Sequence, residues 1–143
     1  MIKLTRKQYE IEEPIQVEDE SGNLLVDYIV KITPEEKLQI RDIIFDEQDV
    51  KDGRKLAKLE KEGKTDEYEL LENDVLERAK ARQEKFEKIV FKEERENIKK
   101  KAGELIYLDL VDTMFDFFVN AFVDKRVSQM NTLTTSLRKI SNK

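Results

Sequence analysis

Residues 24–32 place Leu24, Val26, Tyr28, Val30 and Ile32 at period two, the spacing that puts every second side chain of a strand on one face. Upstream, Ile11, Ile15 and Val17 supply matching apolar positions, and the segment between, Glu18 to Asn23, is turn chemistry with Gly22 free to take positive φ. A β-hairpin is predicted. Ile2, Leu4, Tyr9 and Ile11 suggest a further short strand, and Pro14 implies a kink or an edge position. Because an isolated two-stranded hairpin is marginal in water, its apolar face should rest on the helices that follow.

From Thr33 the period changes. Thr33 as N-cap, Pro34 at the first helical position and Glu36 closing a capping box mark a helix start. That helix carries Leu38, Ile40, Ile43, Ile44 and Phe45 and should weaken near Asp52 and Gly53, with Leu56 and Leu59 giving one more short helical turn before Gly63. Residues 63–66 read as a loop in which Thr65 or Asp66 caps the next helix. Tyr68, Leu71, Val75, Ala79, Arg82, Phe86 and Ile89 then recur at spacings of three and four, one stripe of a long amphipathic helix expected to run to about Lys101 and break at Gly103. Glu84 with Lys88, and Glu96 with Lys100, are correctly oriented i,i+4 pairs on it.

Residues 105–123 hold four of the chain's seven phenylalanines and one of its four tyrosines, in a helix apolar around most of its circumference. It should end around Asp124 to Arg126, after which Val127, Met130, Leu133, Leu137 and Ile140 predict a last amphipathic helix. The expected fold is therefore α+β, mostly α: an N-terminal β-hairpin followed by a bundle of three to five helices. A single domain over 1–143 is expected, with hairpin region 1–32, helical body 33–126 and C-terminal tail 127–143.

The apolar helix must be covered, by the chain's own core, by another protein or by both. Phe117 and Phe118 lie about 100° apart on a helix and cannot share one narrow seam. One face can thus serve the core while the other meets a further helix or a second chain. Leu105, Leu108, Val111, Met114, Phe115, Phe118, Phe122 and Met130 are the candidate interface residues, the methionines offering adaptable surface. Asp109, Asp112 and Asp116 share a face and could bind Mg²⁺ or Ca²⁺, but with Asn120 they read better as the helix's water-facing stripe. Three carboxylates also make the segment a poor membrane span.

Composition narrows the chemistry. Cysteine and histidine are absent, which removes thiolate catalysis, zinc-thiolate sites, the commonest general base and the commonest transition-metal ligand. Paired acids such as Glu12 with Glu13, or Glu35 with Glu36, read as surface or capping groups, and Asp19 to Gly22 lacks the alternating ligands of a calcium loop. No catalytic constellation, cofactor or metal is expected. With 41% charged residues of interleaved sign and a net charge of -5, no nucleic acid partner is expected either. Lys99, Lys100 and Lys101 complement a helix C-terminus, with contact to phosphate or an acidic partner as the other reading. With no secretory leader or membrane span expected, a soluble cytoplasmic protein that acts through other proteins is the reading.

The order of elements resembles the tail assembly chaperones of long-tailed, siphovirus-like bacteriophages: a hairpin with an acidic Gly-containing turn, a capped Thr33-Pro34-Glu35-Glu36 helix, charged helices, then a hydrophobic helix. Residues 15–44, IQVEDESGNLLVDYIVKITPEEKLQIRDII, carry it most specifically. The resemblance implies a protein of the infected or lysogenic bacterial cytoplasm that coats the hydrophobic helices of the tape measure protein until tail tube subunits polymerise. It also implies homo-oligomers and a longer form made by frameshifting. The alternatives are a phage-encoded regulatory or inhibitory module acting on a host protein, and a virion structural adaptor.

Overall fold

In the computed structural model, residues 1–141 are described, with side chains described for residues 1–123. Strand β1 (Ile11–Glu18) and strand β2 (Leu24–Ile32) form a two-stranded antiparallel sheet, followed by helices α1 (Pro34–Ile44), α2 (Glu47–Lys61), α3 (Thr65–Phe91), α4 (Arg95–Ala102) and α5 (Glu104–Ser141). This is the expected α+β, mostly α architecture. The chain divides into two compact units, Met1–Tyr107 and a second beginning at Leu108.

Alternation along the hairpin sets its register. Ile11 pairs with Ile32, Ile15 with Tyr28 and Val17 with Val26, with a bulge between Val17 and Glu18. In the turn, Gly22 takes φ 82 and the Asp19 carboxylate accepts the N–H groups of Ser21 and Asn23, both at 2.9 Å. Val26, Val30 and Ile32 are buried, and β2 packs against α3 and α4. Among the described residues no third strand joins the sheet: Arg6–Tyr9 is a short 3-10 helix, and Ile2 and Leu4 are exposed. Its start is a local capping arrangement between Thr5 and Gln8, which favours a turn over an extended chain.

The helix start at Thr33 is as predicted. The Glu36 N–H donates to Thr33 Oγ1 at 3.2 Å and the Thr33 N–H donates to Glu36 Oε1 at 3.0 Å, with Pro34 at the first helical position. The next boundaries differ from the periodicity. Helix α1 stops at Ile44, and Asp46 caps α2 by accepting the Gln48 N–H at 2.9 Å. Helix α2 then runs straight through Asp52 and Gly53. An internal glycine costs a helix about 1 kcal/mol relative to alanine, a penalty outweighed here by the cap and by packing along α3.

Gly63 at φ 70 ends α2 in a left-handed turn, and its N–H donates to the Glu60 carbonyl at 3.1 Å. Thr65 opens α3 rather than capping it; Lys64 occupies the cap position with no side-chain hydrogen bond. The long helix also ends earlier than its stripe predicts. Lys92 adopts φ 51, and after a short 3-10 turn, Lys92–Glu94, the chain re-enters a helix as α4. Gly103, at φ 88, makes the break expected before the apolar helix. Helix α5 does not stop near Asp124 but continues to Ser141, because no glycine or proline interrupts it.

Candidate protein-interaction surface

The rotational setting of α5 begins with Tyr107, in its first turn. The Tyr107 hydroxyl donates to the Glu87 carboxylate, its ring lies 5.7 Å from that of Phe91, and Lys99 Nζ stands 5.8 Å above it. Glu87, itself only 5% exposed, also accepts from Arg95 Nε at 3.3 Å and Gln83 Nε2 at 3.5 Å. A buried carboxylate is tolerable only with such a ring of donors. Burial first, and then the Glu87 carboxylate, push the Tyr107 phenol well above its ordinary range, against the opposing pull of Arg95. The phenol therefore stays a neutral donor.

From Tyr107 the spacing four, three, four leads to Val111, Met114 and Phe118, and all of these are 3% exposed or less. They form the inner line of α5. On the opposite side Leu105, Asp109, Asp112 and Asp116 are exposed, Leu105 at 80%. Between these lines, within the second unit, runs a flank of Leu108, Phe115, Val119 and Phe122. Leu108 is 42% exposed and the others are half-buried, while Val123, 41% exposed, falls in line with Leu105 on the acidic side. The Phe117 and Phe118 rings meet edge to face at 5.3 Å, so their divergence around the helix is bridged locally.

The candidate residues thus separate. Val111, Met114 and Phe118 face inward, Leu108, Phe115 and Phe122 line the flank, and Leu105 belongs to the acidic outer line. Met130 and the amphipathic positions after Val127 lie outside the described side chains. The acidic line is exposed as expected, and among the described residues no group of three or more His, Cys, Asp or Glu could hold a metal ion. Among those residues, too, no helix is long and apolar enough to cross a membrane.

A second polar arrangement was not foreseen from the sequence. On α2, Asp46, Asp49 and Asp52 recur every three residues. On α3, Arg78 and Arg82 are four apart. Arg82 Nη1 reaches Asp49 at 2.5 Å and Asp46 at 3.3 Å, while Arg78 Nη2 reaches Asp52 at 2.5 Å. Asp52, 5% exposed, also accepts from Gln48 Nε2 at 2.9 Å. Hydrogen bonding from Arg82 to Asp49, above all, raises the guanidinium pKa and keeps it charged. These pairs clamp α2 along α3. Their matching periods were visible in the sequence, had α2 been recognised as one continuous helix. Of the predicted surface pairs, Glu84 and Lys88 meet at 3.1 Å, whereas Glu96 is engaged by Arg95 at 3.3 Å.

No protein-family profile, curated protein or solved structure matches this chain.

Proposed function

We propose that this chain is a non-catalytic holdase of the tail assembly chaperone kind, which keeps the apolar helices of a tape measure protein in solution during phage tail assembly. The reading rests on the flank of α5: Leu108 exposed at 42%, with Phe115, Val119 and Phe122 half-buried along the same side. A client helix laid against that flank would bury side chains on both partners, the helix-in-groove mode of recognition. The buried line of Tyr107, Val111, Met114 and Phe118 is made of other side chains than the flank.

Dense charge elsewhere supports the same reading. A net charge of -5 opposes non-specific clumping of copies, a property useful to a protein that must expose apolar surface without precipitating. Co-expression with a tape measure protein tests this directly. The wild type should raise the soluble yield of the client several-fold, and Leu108→Asp with Val119→Asp should return it to the level without chaperone while circular dichroism stays unchanged. A client equally soluble with and without the wild type would end the proposal.

A further inference from the structure

The two strands of the hairpin differ in how their outer edges are guarded. In an antiparallel ladder, residues whose N–H and C=O face the partner alternate with residues whose groups face outward. Pro14 has no N–H and sits opposite Ile29 in an unbroken register, so position 14 faces outward. Glu12, Gln16 and Glu18 share that direction. On β2 the outward positions are then Asp27, Ile29 and Lys31, and their side chains are exposed, Ile29 at 49%. Among the described residues, no hydrogen bond is made to the backbone of Asp27, Ile29 or Lys31 on that side.

The β1 edge carries two devices that block edge-to-edge pairing: a proline, and acids that would repel a second copy of themselves. The β2 edge has no proline, and its two charges, Asp27 and Lys31, are of opposite sign. Its charges are instead arranged to complement their own reverse. Antiparallel pairing of β2 with β2 centred on Ile29 sets Ile29 against Ile29 and places Asp27 of each copy opposite Lys31 of the other. Centring the pair on Lys31 would oppose like charges, and centring it on Asp27 would do the same, so charge favours the register centred on Ile29 over these two.

We propose that the free edge of β2 is a self-association site, at which a second copy of this chain adds its own β2 to make a continuous β1-β2-β2-β1 sheet. Asp27, Ile29 and Lys31 of each copy exchange about six backbone hydrogen bonds, two for each opposed pair. This site lies in the first unit, shares no residue with the flank of α5, and stands independently of the holdase reading.

Sedimentation of the full chain across a concentration range tests it. The wild type should reach twice the monomer mass of 17.0 kDa. Ile29→Pro removes the outward N–H as Pro14 does on β1, and should leave a monomer at concentrations at least tenfold higher. Lys31→Asp should do the same by opposing Asp27, and the exchange Asp27→Lys with Lys31→Asp should restore the dimer. Circular dichroism and melting of each variant separate lost pairing from lost folding. A wild type that stays monomeric throughout overturns the proposal. So does a dimer untouched by both single substitutions, which would place the contact elsewhere, or a monomer in which another protein's extended segment occupies the edge.

Discussion

The clamp between α2 and α3 and the core beneath the hairpin are built on opposite principles. Along α2 the contacts to α3 are led by carboxylates meeting guanidinium groups, with Arg78 45% exposed and Arg82 24% exposed in their side chains. Beneath the hairpin Val30, Ile32, Ile40, Phe86, Val90 and Phe91 are 1% exposed or less, and charge enters only as the enclosed Glu87, Arg95 and Tyr107 cluster. Water screens the first arrangement and is absent from the second. The same charge-rich composition thus yields an apolar centre and a charge-paired seam between α2 and α3.

Breaking the centre should have the larger effect. Phe91→Ala removes a ring packed against both Tyr28 and Tyr107, at centroid distances of 6.3 and 5.7 Å, and should cost about 3–5 kcal/mol in urea denaturation. Asp52→Ala strips Arg78 of its partner, yet Arg78 is half in water, so about 1–2 kcal/mol is expected. The Asp52→Ala loss should shrink in 1 M salt while the Phe91→Ala loss does not. Equal losses at both salt concentrations would show that the two regions are not built differently.

A smaller effect sharpens the boundary between them. Burial pushes the Glu36 carboxyl up, but the hydrogen bonds from Lys92, at 2.6 Å, and from the Thr33 N–H outweigh it and hold the pKa below the ordinary carboxylate range. A folded pKa depressed in this way contributes stability that is present above the unfolded pKa and lost as pH falls through the folded one. Melting temperature should therefore drop as the medium is acidified through that window, and Glu36→Gln should flatten the drop. Smallest of all, Arg6→Ala breaks only the pair with Glu35, more than 60% exposed on both sides, and should leave melting unchanged.

Individual elements show how far local chemistry reaches. Tyr28 was readable as an inward strand position from its period, but its hydroxyl also donates to the Val90 and Phe91 carbonyls at 3.4 and 3.3 Å, satisfying acceptors left over where α3 ends. Nothing near residue 28 signals that. For the candidate surface, the apolar excess of α5 was legible, whereas the division of Leu108, Phe115 and Phe122 from Val111, Met114 and Phe118 was not. It depends on where Tyr107 is anchored, and its partner Glu87 lies on another helix.

By itself the sequence determined the hairpin, its turn at Gly22 and the start of α1 at Thr33, because each is closed by bonds among residues only a few positions apart. Tertiary structure alone decided that α3 ends at Phe91. Lys92 holds φ 51, unfavourable for a side-chain-bearing residue, while Glu36 accepts its Nζ and Tyr28 binds the carbonyls just before it. The helix propensity of residues 88–95 favours continuation, and only contacts reaching back to β2 and α1 make the break the lower-energy course.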